Sequence, residues 1–191
     1  DSVDIVWSNC VLEHVSDYDS LMHETWRTLK PGGLAIHIIH LQDHLTFNNG
    51  GDWLRFLTYN ERKWNAMFSH RTTWCNRLRS SQWHELFEEK PWEIVEFAEQ
   101  TAPFHPQFER SRLASPFNSM SERDLAVSWV HTTLRKPTDV SLATPYPIAK
   151  LDAGGKPVLI KRRFNQPCRS SASGFRSSTA RTNLAVHHKV V

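Results

Sequence analysis

Val3-Asp4-Ile5-Val6-Trp7-Ser8-Asn9-Cys10-Val11-Leu12-Glu13-His14-Val15, followed by Leu29-Lys30-Pro31-Gly32-Gly33-Leu34-Ala35-Ile36-His37-Ile38-Ile39, decides the fold of this chain. In the first stretch Val3, Ile5 and Trp7 alternate with Asp4 and Val6, and turn residues flank them. That pattern predicts a mostly buried strand. Asp17 and Asp19 are placed to cap a helix running to about Leu29, with Met22, Trp26 and Leu29 on one face. Lys30-Pro31-Gly32-Gly33 reads as its stop, because proline removes a donor and glycine accepts a left-handed cap. Leu34 to Leu41 is then a second, nearly continuous apolar strand. Strand, polar corner, helix, strand is the order of an α/β fold.

Working outward, residues 42–75 show no clean period but are dense in aromatics: Phe47, Trp53, Phe56, Tyr59, Trp64, Phe68 and Trp74. A long aromatic connection after a strand reads either as a lid over a site or as a small helical unit with its own core. Ser80 and Ser81 are placed to cap a further helix whose apolar face is Trp83, Leu86 and Phe87. Trp92 to Phe97 predicts a third strand, 101–121 a Pro- and Ser-rich loop, and Ala126 to Leu134 a fourth strand. Arg135-Lys136-Pro137 closes the body, so 1–137 reads as one domain and 138–191 as a disordered Pro/Ser/Arg-rich tail.

The bulk properties agree with that division. A chain of 191 residues suits one domain with a tail. Its net charge of +3 is split: 150–191 holds nine Lys/Arg and one acid, leaving 14 basic and 19 acidic residues in 1–149. A basic tail touches nucleic acid or anionic lipid in some proteins, but its composition is first that of a solvated extension. No apolar run is long enough to span a membrane, and the charged start at Asp1 is wrong for a secretory leader and suits a piece of a longer chain. Three cysteines with no C-x-x-C pair argue against a disulfide framework or a cysteine zinc site, so a cytoplasmic setting is expected.

Several of these pieces in one order resemble the class I S-adenosylmethionine-dependent methyltransferases. They are Asp4 to Asn9, Leu12-Glu13-His14-Val15, and Arg27-Thr28-Leu29-Lys30-Pro31-Gly32-Gly33, then Asn76 to Arg79, Trp92 to Phe97 and Asp124 to Pro137. The resemblance implies a partial Rossmann-like sheet holding that family's strands 4, 5, 6 and 7. Those strands stand in the order 4-5-7-6, with strand 7 antiparallel. None of the seven glycines forms the G-x-G of the family's cofactor loop. The chain therefore owns one wall of the crevice at which such sheets bind ligands. Its strand-4 edge is expected to be open to a pairing partner.

The resemblance also implies roles. Ser8, Asn9 and Cys10 stand where the cofactor S-adenosyl-L-methionine would meet the strand end. His14, His40 and His44 are the candidate catalytic bases, since imidazole titrates in the useful range. Asp43, Trp53, Trp64 and Arg77 are candidates for binding a small-molecule acceptor. Some related O-methyltransferases, such as those of ubiquinone synthesis, hold a divalent metal on a Glu-His pair with a further Glu. Here that further position is Cys10, a poor ligand for magnesium. His37 and His40, three apart on a strand, face opposite sides, so no metal site is expected from His37, His40 and His44.

The function expected is that of the C-terminal part of a methyltransferase acting on a small molecule or sugar. The alternative is a non-catalytic interaction module working through the aromatic segment or the basic tail. Nucleic acid is not the expected partner, because no Asn-Pro-Pro-Tyr-like corner follows the first strand.

Overall fold

The computed structural model describes residues 1–46, 49–88 and 91–139. Strands β1 (Val3–Asn9), β2 (Leu29–His40), β3 (Glu93–Thr101) and β4 (Val127–Arg135) form one open sheet in the order β1-β2-β4-β3. β1 and β2 are parallel, while β4 runs antiparallel to both β2 and β3. This is the mixed α/β half-sheet expected from the sequence, with the antiparallel strand third in the order. The tail beyond residue 139 lies outside the described residues.

Helix α1 (Tyr18–Thr28) joins the two parallel strands, and the Asp17 carboxylate caps it by accepting from the Ser20 amide at 3.1 Å. The helix ends four residues before Gly32, and Leu29 is already extended. Pro31-Gly32-Gly33 is thus not the helix stop that its composition suggests. It lies inside β2, where the register against β1 shifts between Val3 and Ile5. Gly33 is required by close approach: a Cβ there would stand 2.9 Å from the Lys30 carbonyl and 3.0 Å from that of Asp4.

Helix α3 (Ser80–Glu88) packs with α1 on one face of the sheet. Met22, Trp26, Trp83, Leu86 and Phe87 meet Ala35, Ile39, Val130 and Leu134 there. Ser80 and Ser81 lie within α3 instead of capping it by their own side chains. The cap comes from a distant element: the Asp124 carboxylate accepts from both the Ser81 amide (3.0 Å) and its hydroxyl (2.8 Å). A carboxylate at the first turn also complements the helix dipole.

A second core lies beside the first. Helix α2 (Glu61–Phe68) and the turn at Arg55–Thr58 come from the aromatic segment. Trp53, Phe56, Trp64 and Phe68 pack there with Leu113, Phe117 and Leu125, so the Pro- and Ser-rich stretch contributes to this core through Leu113 and Phe117. The described part of residues 42–75 thus belongs to a unit with its own core.

Two buried arginines tie the pieces together. Arg79, fully buried, donates to the carbonyls of Leu41 at 2.6 Å, Leu125 at 3.1 Å and Val127. It joins the end of β2 to α4 (Glu122–Ala126) and the start of β4. Arg77, in a left-handed conformation at φ 63°, lies between the rings of Trp64 and Phe117 with its guanidinium carbon 5.2 Å from each.

Candidate functional site

The C-terminal ends of the parallel strands β1 and β2 lie side by side, and the polar residues that follow each strand meet there. β1 ends at Asn9, and Cys10 turns the chain with φ 54°, its amide still bonded to the Ile38 carbonyl at 2.9 Å. A short 3₁₀ turn, Leu12–His14, brings Glu13 and His14 under the end of β2. Asn76 holds that turn in place. Its side-chain amide donates to the carbonyls of Leu12 (2.9 Å) and Val15 (3.1 Å), and its backbone amide to that of Glu13 (2.7 Å). β2 delivers His40, and the chain then bends so that His44 returns over it.

Three imidazoles and a carboxylate result. His40 and His44 stack with ring centroids 4.8 Å apart, and His40 Nδ1 lies 2.9 Å from His44 Nε2. His14 meets His44 edge-on, also at 4.8 Å. Partners fix two of the tautomers. His14 Nδ1 faces the Trp74 carbonyl at 2.7 Å and therefore carries a proton. His40 Nε2 faces the Gln42 carbonyl oxygen at 2.8 Å and carries one too, which leaves Nδ1 as the lone-pair nitrogen. His40 also lies against Trp129 of β4, with ring centroids 4.2 Å apart.

Glu13 is 2% exposed, and its carboxylate oxygens make no hydrogen bond of good geometry, with the Cys10 thiol and the His40 amide standing near them. Burial pushes its carboxyl up to about 7. Burial also pushes the His44 imidazole down to about 4 and lowers that of His40. The Cys10 thiol is raised to about 11, first by burial and then by the neighbouring Glu13 charge. Burial thus biases Glu13, His40 and His44 toward their neutral forms.

The other predicted residues are placed as follows. Ser8 turns inward and its hydroxyl meets His37 Nδ1 at 2.7 Å, on the sheet face away from His40. Asn9 is exposed, and its side-chain oxygen accepts from the Cys10 thiol at 3.3 Å. Asp43 is buried beside the cluster, and its carboxylate is engaged by the Leu45 amide (2.9 Å) and Arg55 (3.2 Å). Trp53 and Trp64 belong to the second core and donate to the carbonyls of Pro103 and Cys75. Arg77 is bonded to the Tyr59 carbonyl and to Glu61, each at 2.5 Å. The structure thus brings His14, His40 and His44 together, and keeps Trp53, Trp64 and Arg77 inside the neighbouring core.

Sequence reasoning missed Gln42, which sets the His40 tautomer, and Asn76, which clamps the 3₁₀ turn. Gln42 carried a weak signal: it stands two residues after His40, on the same side of an extended chain. Asn76 carried none, since 61 to 64 residues separate it from its partners.

A parallel strand pair with polar residues gathered beyond its carboxyl ends defines an α/β protein of the ligand-binding, open-sheet class. The methyltransferase domain family model matches residues 1–96, and the chain belongs to that family. Among solved structures, it is similar to a SAM-dependent methyltransferase from Methanosarcina mazei, at 10% identity and a TM-score of 0.42, with 72% of this chain and 61% of that one covered. It is also similar to the [4+2]-cyclase SpnF, at 20% identity and a TM-score of 0.39, covering 71% of this chain and 50% of that one. A third is the Haemonchus contortus phosphoethanolamine N-methyltransferase 2, at 19% identity and a TM-score of 0.38, covering 70% and 33%. The chain thus spans less than two thirds of each of these structures. No curated protein matches it. Among the described residues no helix is long and apolar enough to cross a membrane.

Proposed function

We propose that the chain is the acceptor-side part of a methyltransferase that uses S-adenosyl-L-methionine and methylates a small molecule or sugar. The observation that carries this reading is the meeting of two corners. The strand-end corner Asn9-Cys10 and the His14/His40/His44 cluster share one end of the parallel pair β1 and β2.

The corner suits the amino-acid end of the cofactor on one side. The exposed Asn9 amide offers both a donor and an acceptor, while the Ser8 hydroxyl faces His37. S-adenosylmethionine, when bound, supplies a methyl on a sulfonium leaving group. The rest falls to the protein. Methyl transfer to an acceptor held at this corner would be an in-line displacement. It depends chiefly on alignment. The acceptor's proton must leave. His14, whose Nδ1 proton is held by the Trp74 carbonyl, keeps Nε2 as a lone-pair nitrogen to receive it. Asp43, with Arg55, holds the loop that carries His44. The second core is a rigid frame behind the acceptor side.

The test is a titration of the labelled chain with S-adenosylhomocysteine, followed by amide chemical shifts. Weak binding is expected, with shifts confined to Ser8 to Val11 and to residues 37–44, and with Asn9→Ala abolishing them. An absence of shifts in both segments at millimolar ligand would overturn the reading.

A further inference from the structure

We propose that Glu13, His40 and His44 form a three-ligand site for a divalent cation of the zinc class, with cobalt as its spectroscopic equivalent and magnesium excluded. One donor atom from each residue lies within 4.8 Å of the other two. A tetrahedral zinc ion with bonds of about 2.0–2.1 Å sets its ligands roughly 3.3 Å apart. His40 Nδ1 and His44 Nε2, at 2.9 Å, are already close to that spacing. The carboxylate has at most about 1.5 Å to close, within the reach of a glutamate rotamer change.

Three independent features point to a ligand. First, the Glu13 carboxylate is buried with no well-formed hydrogen bond to either oxygen, the Cys10 thiol and the His40 amide being polar neighbours only. Leaving such a group unsatisfied costs free energy that a cation would return. Second, Gln42 takes the Nε2 proton of His40, so the lone pair left over is the one that faces His44 and the cluster. A ligating histidine typically has its other nitrogen fixed in this way by an outer partner. Third, the residues come from three separately anchored places. Glu13 sits on the 3₁₀ turn clamped by Asn76, His40 on the sheet and His44 on the loop held by Asp43. The arrangement is therefore preorganised. Two imidazoles and one carboxylate are a donor set that suits zinc-class ions and leaves a coordination position open.

The set differs from the Cys10/Glu13/His14 positions that the resemblance suggests, where Cys10 already argued against a magnesium site. Neither Cys10 nor His14 belongs to the group whose donor atoms lie within 4.8 Å of one another, and Cys10 bonds to Asn9. It also differs from His37/His40/His44: His37 lies on the helix-covered face, and Glu13 takes the third place. The proposal does not depend on methyl transfer, and its test uses no cofactor. If both readings hold, an acceptor oxygen would take the open position, where a cation would make its proton easier to lose.

The experiment is a cobalt titration of the full 191-residue chain, followed by its visible d–d bands and then by zinc competition. His187 and His188 are replaced by alanine in all samples, so that the adjacent pair cannot chelate. One equivalent is expected to bind, with the intense bands of four- or five-coordinate cobalt, displaced by zinc and untouched by excess magnesium. Glu13→Gln and His44→Asn should each weaken binding by more than about 100-fold, and Gln42→Ala by about 10–100-fold. His70→Ala, an exposed histidine elsewhere, should change nothing. Circular dichroism checks that each variant is folded. Folded wild-type protein that shows only weak octahedral bands, or binding that survives Glu13→Gln in a folded variant, would overturn the proposal.

Discussion

Trp7 and Trp64 divide the molecule. Trp7 stands on β1, 62% exposed, with Ile5 beside it at 58%. Trp64 is 1% exposed, at the centre of the second core, stacked on Phe68 with ring centroids 4.3 Å apart and covered by Arg77 at 5.2 Å. The sheet region carries α1 and α3 on one face only. On the other face Leu34, Ile36 and Ile38 remain half-exposed, and among the described residues no strand pairs with the outer side of β1. The aromatic region, drawn from 45–75 and 102–125, closes on itself. The half that carries the family's hallmark is the open one, and the less regular half is complete. A sheet's hydrogen bonds and apolar faces call for neighbours on every side, whereas a cluster of rings is satisfied once each has a few partners and its N–H a carbonyl.

Three experiments sharpen or break this comparison. The largest effect is expected at the closed core. Trp64→Ala leaves a large cavity, strips a ring from Arg77 and orphans the Cys75 carbonyl, so a loss of about 3–5 kcal/mol is expected in urea unfolding. A loss below about 1 kcal/mol would mean that the aromatic unit is not a core of its own.

An intermediate effect comes from acid. His37, buried under the helices of the sheet region, is pushed down to about 4 by desolvation. Between the unfolded value near 6.5 and about 4 the unfolded chain binds the extra proton, so stability falls as pH drops through this window, by up to about 3 kcal/mol. His37→Gln should flatten that limb, read as the difference between wild-type and variant stability from pH 7 to pH 4. The buried cation of the aromatic region, Arg77, keeps its charge over the same range. Near-UV signals of the sheet should therefore fade first, and simultaneous loss in both regions would make them one unit.

The smallest change in stability is expected at the open edge. Trp7→Lys should alter unfolding by no more than about 0.5 kcal/mol, because the ring is largely in water. The same variant should reduce self-association in sedimentation, since an inserted lysine blocks edge pairing. A substantial loss of stability would show that Trp7 is packed and the edge is closed.

How much was legible beforehand follows the range of the forces involved. The place of β1 and the cap and apolar face of α1 could be read because these are local signals, but β1 was expected to be mostly buried and instead exposes Val3, Ile5 and Trp7, because burial depends on what covers a strand and not on its own alternation. The antiparallel fourth strand rested on resemblance. Pro31-Gly32-Gly33 misled because the same residues suit a helix stop and a strand bulge, and the choice was made by close contact with Asp4 across the sheet. The cap of α3 was invisible because its carboxylate, Asp124, lies 43 residues away. Of the site, His14, His40 and His44 were each visible as residues of the right chemistry. Their assembly with Glu13 was not.

The sequence alone determined the strand and helix order, the family pattern, the split of charge and the lack of a glycine-rich cofactor loop within these residues. All of these are written in near neighbours along the chain. Tertiary structure alone decided which ionisable groups lose their water, and that the Glu13 carboxylate faces the imidazoles of His40 and His44. Those outcomes depend on desolvation and on contacts between residues about 30 apart, which no local pattern encodes.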